Sequence, residues 1–142
     1  MAQAEVFPFL VTDPAFGEAS RLPYLPITLQ LQGRSLPVSA LLDTGSAVNV
    51  LPYEVGLQLG AVWEQQTTSV RLTGNLANQS ARVLTVLGTV GTLPSARLVF
   101  AWTRAGSVPV ILGQVNFFME LDVCFYRSRS LFEVKTKSIA RG

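Results

Sequence analysis

The chain has 142 residues, of which 49% are hydrophobic and 14% charged. That balance excludes a disordered chain and leaves one domain with a substantial core, its surface short of charge against an average of about 25%. With no histidine and a single cysteine, a Ser-His-Asp or Cys-His nucleophile system, a histidine or thiolate zinc site and an intrachain disulfide are all excluded.

The net charge is +2, unevenly placed: Arg127, Arg129, Lys135, Lys137 and Arg141 stand near the C-terminus against Glu133 alone. A basic tail can meet nucleic acid, but the chain shows no Gly-rich phosphate loop, aromatic RNA platform or helix-turn-helix pattern, so a solvated tail is expected. The apolar runs are broken by Gly or Pro before they could cross a membrane as a helix. The N-terminus lacks the basic region of a signal peptide. The expected compartment is the cytoplasm, with no nucleic-acid partner and no membrane span.

Residues 1–24 read as a partly irregular arm holding Pro8, Pro14 and Pro23. Within it, Val6 to Val11 suits an edge strand, where proline is tolerated. Ile27 to Gln32 then alternates apolar and polar residues, Gly33-Arg34 turns the chain, and Leu36, Val38, Ala40 and Leu42 share one face. That pattern predicts an antiparallel hairpin with one buried side. Pro52 to Leu59, closed by Gly60, carries helix start and stop signals. Trp63 is placed to cover that helix end. Strands are expected at 67–73, 81–90, 96–102 and 108–112, with Trp102 in the core or an interface. Gln114 to Leu121 reads as a second helix. Strands at 122–127 and 131–136 follow, with Cys124 as a buried small hydrophobe. Short strands with one or two short helices predict an all-β fold, a small barrel or sandwich.

Asp43 stands apart from Asp13 and Asp122. It leaves the apolar run Val38 to Leu42 into a turn with Thr44, Gly45 and Ser46, where backbone N–H groups can orient a carboxylate and Gly45 permits close approach. An ordinary Asx-type turn closing a hairpin accounts for the tetrapeptide equally well. The wider pattern is more specific. Leu41-Leu42-Asp43-Thr44-Gly45-Ser46 resembles the apolar-apolar-Asp-Thr-Gly-Ser/Ala signature of aspartic peptidases. Val110-Ile111-Leu112-Gly113 followed by Gln114-Val115-Asn116-Phe117-Phe118 resembles the strand and helix that close a retropepsin domain. Order, separation and chain length agree, over residues 25–135.

The resemblance implies a small closed β-barrel of the acid-protease type, one lobe per chain. It divides the chain into an N-terminal arm (1–24), a retropepsin-like barrel domain (25–136) and a basic tail (137–142). The family's reaction needs two carboxylates facing one water and sharing a proton. With one such motif here, the resemblance implies a C2 homodimer with Asp43 from each copy meeting at the axis. It further implies that Thr44 braces its counterpart across the dyad, that Gly45 lets the loops approach, and that Ser46 donates to the carboxylate. A flap over the substrate is assigned to residues 70–77, with Leu72, Thr73, Gly74 and Asn75 at or near its tip and Leu72 and Leu76 either lining subsites or packing beneath the loop.

Three departures from retroviral enzymes stand out: Arg71 and a single glycine in the flap, the helix after the catalytic loop, and the long C-terminal hairpin. An alternative place for arm residues 6–11 is the cleft itself, as a self-inhibiting strand. The implied activity is an aspartic endopeptidase acting on extended apolar-rich peptides, with the protein itself and a peptide or protein substrate as partners and no metal or organic cofactor. The alternatives are a non-catalytic module of the same fold that binds a peptide or partner, and an unrelated nucleic-acid-binding β-barrel.

Overall fold

Alternation at period two builds the first hairpin. Strands β4 (Tyr24–Leu31) and β5 (Arg34–Leu42) pair antiparallel from Tyr24↔Leu41 to Leu31↔Arg34, and their inward residues Leu25, Ile27, Leu29, Ala40 and Leu42 are buried. The computed structural model describes residues 3–72 and 79–137. Its remaining elements are β1 (Ala4–Pro8), β2 (Leu10–Val11), β3 (Arg21–Leu22), β6 (Asn49–Pro52), α1 (Tyr53–Gln58), β7 (Ser69–Arg71), β8 (Ser80–Thr89), β9 (Ala96–Thr103), β10 (Val110–Leu112), α2 (Phe117–Glu120), β11 (Leu121–Tyr126) and β12 (Leu131–Thr136). Among the described residues no helix is long and apolar enough to cross a membrane.

The main sheet runs β4-β5-β10-β6-β9-β8-β7, and β8 returns to β4 through Thr28↔Thr89, Leu29↔Gly88 and Gln30↔Leu87. That return closes a six-strand barrel and removes its free edges. The protein is therefore all-β, as the period-two pattern predicts, with a closed barrel and two short helices. The interior is filled by Leu84, Val86, Leu98, Phe100, Trp102 and Leu112 together with the hairpin residues. Each fully buried large side chain contributes about 1.5–3 kcal/mol relative to exposure.

Strand β6 is not among the strands expected along the sequence. It is only four residues long, ends in proline and is buried at Asn49, Val50 and Leu51, so it shows no alternation to detect. It pairs parallel with β9 and antiparallel with β10, while β10 pairs parallel with β5. The second helix is also shorter than predicted. Val115 belongs instead to the crossing segment, where its carbonyl accepts the Asn49 N–H at 3.0 Å, leaving only Phe117–Glu120 helical.

Helix α1 begins after Pro52, and Gly60 beyond its end takes φ +84°, the left-handed conformation that glycine favours. The helix sits on the fully buried Trp102 indole, whose Nε1 donates to the Tyr53 carbonyl at 3.1 Å. Trp63 packs edge-on against both Tyr53 and Trp102. The guanidiniums of Arg82 and Arg104 lie 4.6 and 4.5 Å from the Trp63 ring, an arrangement favourable to cation–π attraction.

The arm is not a strand lying loose in a cleft. β1 is the outer strand of a three-stranded sheet, β1-β12-β11, in register from Ala4↔Lys135 to Pro8↔Leu131. Apolar packing holds it: Phe7 stacks on the buried Phe132 at 5.6 Å, and Phe9 meets Phe132 edge-on at 5.7 Å. Two carboxylates tie the arm to the body. Glu5 accepts the Thr92 N–H at 2.9 Å and the Thr92 hydroxyl at 2.8 Å. Glu18 accepts from Arg21 Nε at 2.6 Å and from the Ser130 hydroxyl at 3.2 Å. Cys124, expected to be buried, is half-buried because β11 lies at the other edge of this sheet.

Two predictions follow from the packing and the tethers. A Cβ on Gly56 would stand 2.2 Å from the Trp102 ring atoms Cε2 and Nε1, so Gly56→Ala is expected to destabilise by about 1–3 kcal/mol through overpacking, read by denaturant unfolding. Hydrogen bonds from the Thr92 backbone, then its hydroxyl, hold Glu5 below its ordinary value of 4.5, and the Arg21 hydrogen bond, foremost, lowers Glu18 from the same value. A carboxylate depressed by folding stabilises above its unfolded pKa, and that stability is lost as pH falls through the folded pKa. Glu5→Gln should therefore lower the melting temperature at neutral pH, with the difference from wild type shrinking as pH falls through the folded-state pKa of Glu5.

Candidate active site

Asp43 is the first residue beyond β5, and parallel pairing of β5 with β10 sets its position. Its backbone N–H donates to the Leu112 carbonyl at 3.0 Å. The turn that follows is closed by Ser46 N–H donating to the Asp43 carbonyl at 3.0 Å. Within the turn the Gly45 N–H donates to Asp43 Oδ1 at 3.0 Å, which fixes one orientation of the carboxylate. Asp43 is half-buried, whereas Thr44 and Gly45 are exposed.

The segment after β10 locks this turn from the other side. Gln114 N–H donates to the Ser46 carbonyl and Val115 N–H to the Ala47 carbonyl, both at 2.9 Å. The Gln114 side chain donates through Nε2 to the Thr44 carbonyl at 2.8 Å. Gly113 lies so close beneath the loop that a Cβ there would sit 2.4 Å from the Val48 carbonyl oxygen and 2.7 Å from that of Ser46. Only glycine permits that approach. The two sequence motifs are thus brought together as two crossing segments of one site.

The Ser46 hydroxyl differs from its expected role. It donates to the Val48 carbonyl at 2.7 Å, not to the Asp43 carboxylate. That bond is local, two residues along the chain, and steadies the loop's exit toward β6. Thr44 exposes its side chain on the loop surface. Of the proposed flap, β7 and the start of β8 form an antiparallel base through Ser69↔Arg82, Val70↔Ala81 and Arg71↔Ser80. Leu72 is buried there against Val50, Ala81 and Ala101, with Ile111 packed on the same cluster. Thr73, Gly74 and Asn75 lie outside the described residues. Asp13 is in the arm, where its carboxylate accepts the Ala15 N–H at 3.0 Å. Asp122 is on β11. Neither shares the turn setting of Asp43.

Sequence reasoning missed the residue that ties the crossing together. Asn49 is fully buried. Its Oδ1 accepts the Gly113 N–H at 2.8 Å and the Phe117 N–H at 3.4 Å. Its Nδ2 donates to the Val99 carbonyl at 3.0 Å and to Asn116 Oδ1 at 2.9 Å. Asn116 continues the network by accepting the Val99 N–H at 3.0 Å and donating to the Arg97 carbonyl at 2.8 Å. The available signal was a lone amide inside the apolar run Val48-Asn49-Val50-Leu51, since a buried polar group must be hydrogen-bonded.

No family model matches the chain, and no curated protein matches it. Its backbone is similar to the crystal structure of a retropepsin-like aspartic protease from Rickettsia conorii, with a TM-score of 0.66 at 13% identity over 96% of this chain and 94% of that chain. At that identity the likeness defines the fold, a retropepsin-like single-lobe barrel.

Asn49→Ala should leave several buried backbone groups unpaired, at about 1–3 kcal/mol each. The expected result is a folded but strongly destabilised protein, with faster amide exchange at Gly113, Phe117 and the loop before any global unfolding.

Proposed function

We propose that the protein is an aspartic endopeptidase, active as a C2 homodimer in which each copy contributes Asp43. The observation that carries this reading is the Asp43 turn itself. Its carboxylate is oriented by a backbone donor, its base is locked by the Gly113 crossing, and its Thr44-Gly45 face lies at the surface. A rigid carboxylate held at an exposed turn is half of a two-carboxylate site, and the likeness to a retropepsin-like aspartic protease supports the same reading.

In the dimer, two carboxylates at the axis cannot both ionise easily, so they share one proton. The ionised carboxylate takes a proton from the water as it attacks the scissile carbonyl. The protonated one donates to the carbonyl oxygen, giving a neutral diol. Collapse of the diol returns a proton to the departing nitrogen and leaves a carboxylic acid and an amine. Thr44 braces its counterpart across the axis, and Gly45 lets the two turns meet. The hairpin of β7 and β8, carrying the flap over residues 70–77, closes on the substrate and excludes water. The cluster of Val50, Leu72, Ala81 and Ala101, with Val48, Val70 and Ile111 packed against it, is buried and supports the base of that hairpin from beneath. No metal or organic cofactor enters this chemistry.

The test is cleavage of a diverse peptide pool from about pH 3.5 to 7.5, with wild type and Asp43→Asn in parallel. The expected outcome is discrete cuts between apolar residues, reduced by about 10²–10⁴-fold or more in Asp43→Asn. A confirmed dimer without Asp43-dependent cleavage would replace the peptidase with a binding module of the same fold.

A further inference from the structure

The seam that closes the barrel leaves one position unfilled. Backbone N–H and C=O groups point to alternate sides of a strand, so residues two apart face the same neighbour. On β8 the side away from β9 serves Ala81, paired with Val70 of β7, and Val83, whose N–H donates to the Thr68 carbonyl at 2.9 Å. The same side serves Leu87 and Thr89, paired with Gln30 and Thr28 of β4. Thr85 stands between them and faces the same way. The register that sets Gln30 opposite Leu87 would set Gln32 opposite Thr85, but Gln32 has already turned into the β4–β5 connection with φ +48°. One ladder position, with a donor and an acceptor, is thus open between β7 and β4.

A cleft of about 320 Å³ lies at this position, and its lining includes Gln30, Gln32, Thr85, Leu87 and Arg97. Gln30, Leu87 and Arg97 stand in one register row across β4, β8 and β9. All three are exposed, Leu87 to 44%. Arg97 is the one charged residue of the lining, and among the described residues its guanidinium forms no ion pair. One small concavity therefore offers a backbone donor and acceptor, two side-chain amides, an apolar contact and a cation. It lies at the opposite end of the β4–β5 hairpin from Asp43, since Gln30 pairs with Ser35 whereas Asp43 follows Leu42.

The geometry points to a binding site for the C-terminal end of an extended peptide, on the barrel wall away from Asp43. The terminal carboxylate pairs with Arg97, whose planar fork suits two parallel hydrogen bonds. The last peptide group takes the open ladder position at Thr85, as an added strand would. The terminal apolar side chain rests on Leu87, and Gln30 and Gln32 flank it with their amides. An inorganic anion would use the cation and leave the ladder position and Leu87 unused. A nucleic acid would find a single positive charge, too little for binding driven by counterion release. The site depends neither on Asp43 nor on how copies of the chain associate.

The experiment titrates the wild-type protein with N-acetyl-valyl-leucine and follows backbone amide chemical shifts. It is repeated with the same dipeptide amidated at its C-terminus, and with N-acetyl-aspartate amide, whose carboxylate is on the side chain. The expected result is saturable shifts at Gln30, Gln32, Thr85, Leu87 and Arg97 with one shared Kd. Binding should weaken by about tenfold or more for both comparison ligands and in Arg97→Gln, through loss of a charge-assisted contact. The comparison among ligands needs no variant and stands if Arg97→Gln fails to fold. Shifts absent from these residues or confined to the Asp43 turn would overturn the proposal. So would equal binding of either comparison ligand, or undiminished binding by a folded Arg97→Gln. Asp43→Asn is expected to bind the dipeptide as wild type does, so this site and the peptidase reading fail separately.

Discussion

The side-chain amide of Asn49 holds the crossing on which the site is built. Two loops cross beneath Asp43, and neither belongs to a regular ladder at that point. Their backbone groups need partners away from water. Asn49 supplies both an acceptor and donors from one buried position, serving Gly113, Phe117, Val99 and Asn116. An apolar residue there would pack, but it would leave the crossing unsatisfied. Gly113 is the steric counterpart, since the loop carbonyls of Ser46 and Val48 occupy the space a side chain would need. Hydrogen bonding and close approach together turn a surface turn into a fixed mount for one carboxylate.

Rigidity below that mount contrasts with openness above it. Thr44 and Gly45 are exposed, and a cleft of about 530 Å³ beside Thr44 runs along β11. The barrel solves its own edge problem by pairing β8 with β4. Among the described residues the small terminal sheet stays open, with β1 and β11 as its outer strands. A surface with few charges is easier to cover with another apolar surface than to keep solvated.

Two other features secure the barrel's flanks. The aromatic group of Tyr53, Trp63 and Trp102 seats α1 on β9, with Gly56 providing the flat contact and Arg82 and Arg104 covering the indole. The arm is secured by the phenylalanine layer around Phe132 and by the Glu5 and Glu18 tethers. Those tethers weaken in acid while the apolar layer does not.

Much of this was legible along the chain because the signals are local. Period two in 27–32 and 36–42 requires a half-buried hairpin, and Pro52 with Gly60 brackets a helix. The Asp43 turn and the Val110–Gly113 strand are each recognisable from their own residues. Strand β6 was not legible, because four residues buried on both faces carry no alternation. Helix α2 was overestimated, because Val115 is taken by a tertiary pairing with Asn49. The Ser46 hydroxyl turned to a neighbouring carbonyl, a choice between two nearby acceptors that composition cannot make. Cys124 was misplaced because being buried depends on what lies beyond β11. The sequence by itself determined an all-β chain with Asp43 in a Gly-containing turn and no histidine. Only the tertiary structure decided that Gly113 and Asn49 lock that carboxylate's loop. That lock depends on contacts between segments 64 and 70 residues apart, and hydrogen bonds at that separation leave no trace in local pattern.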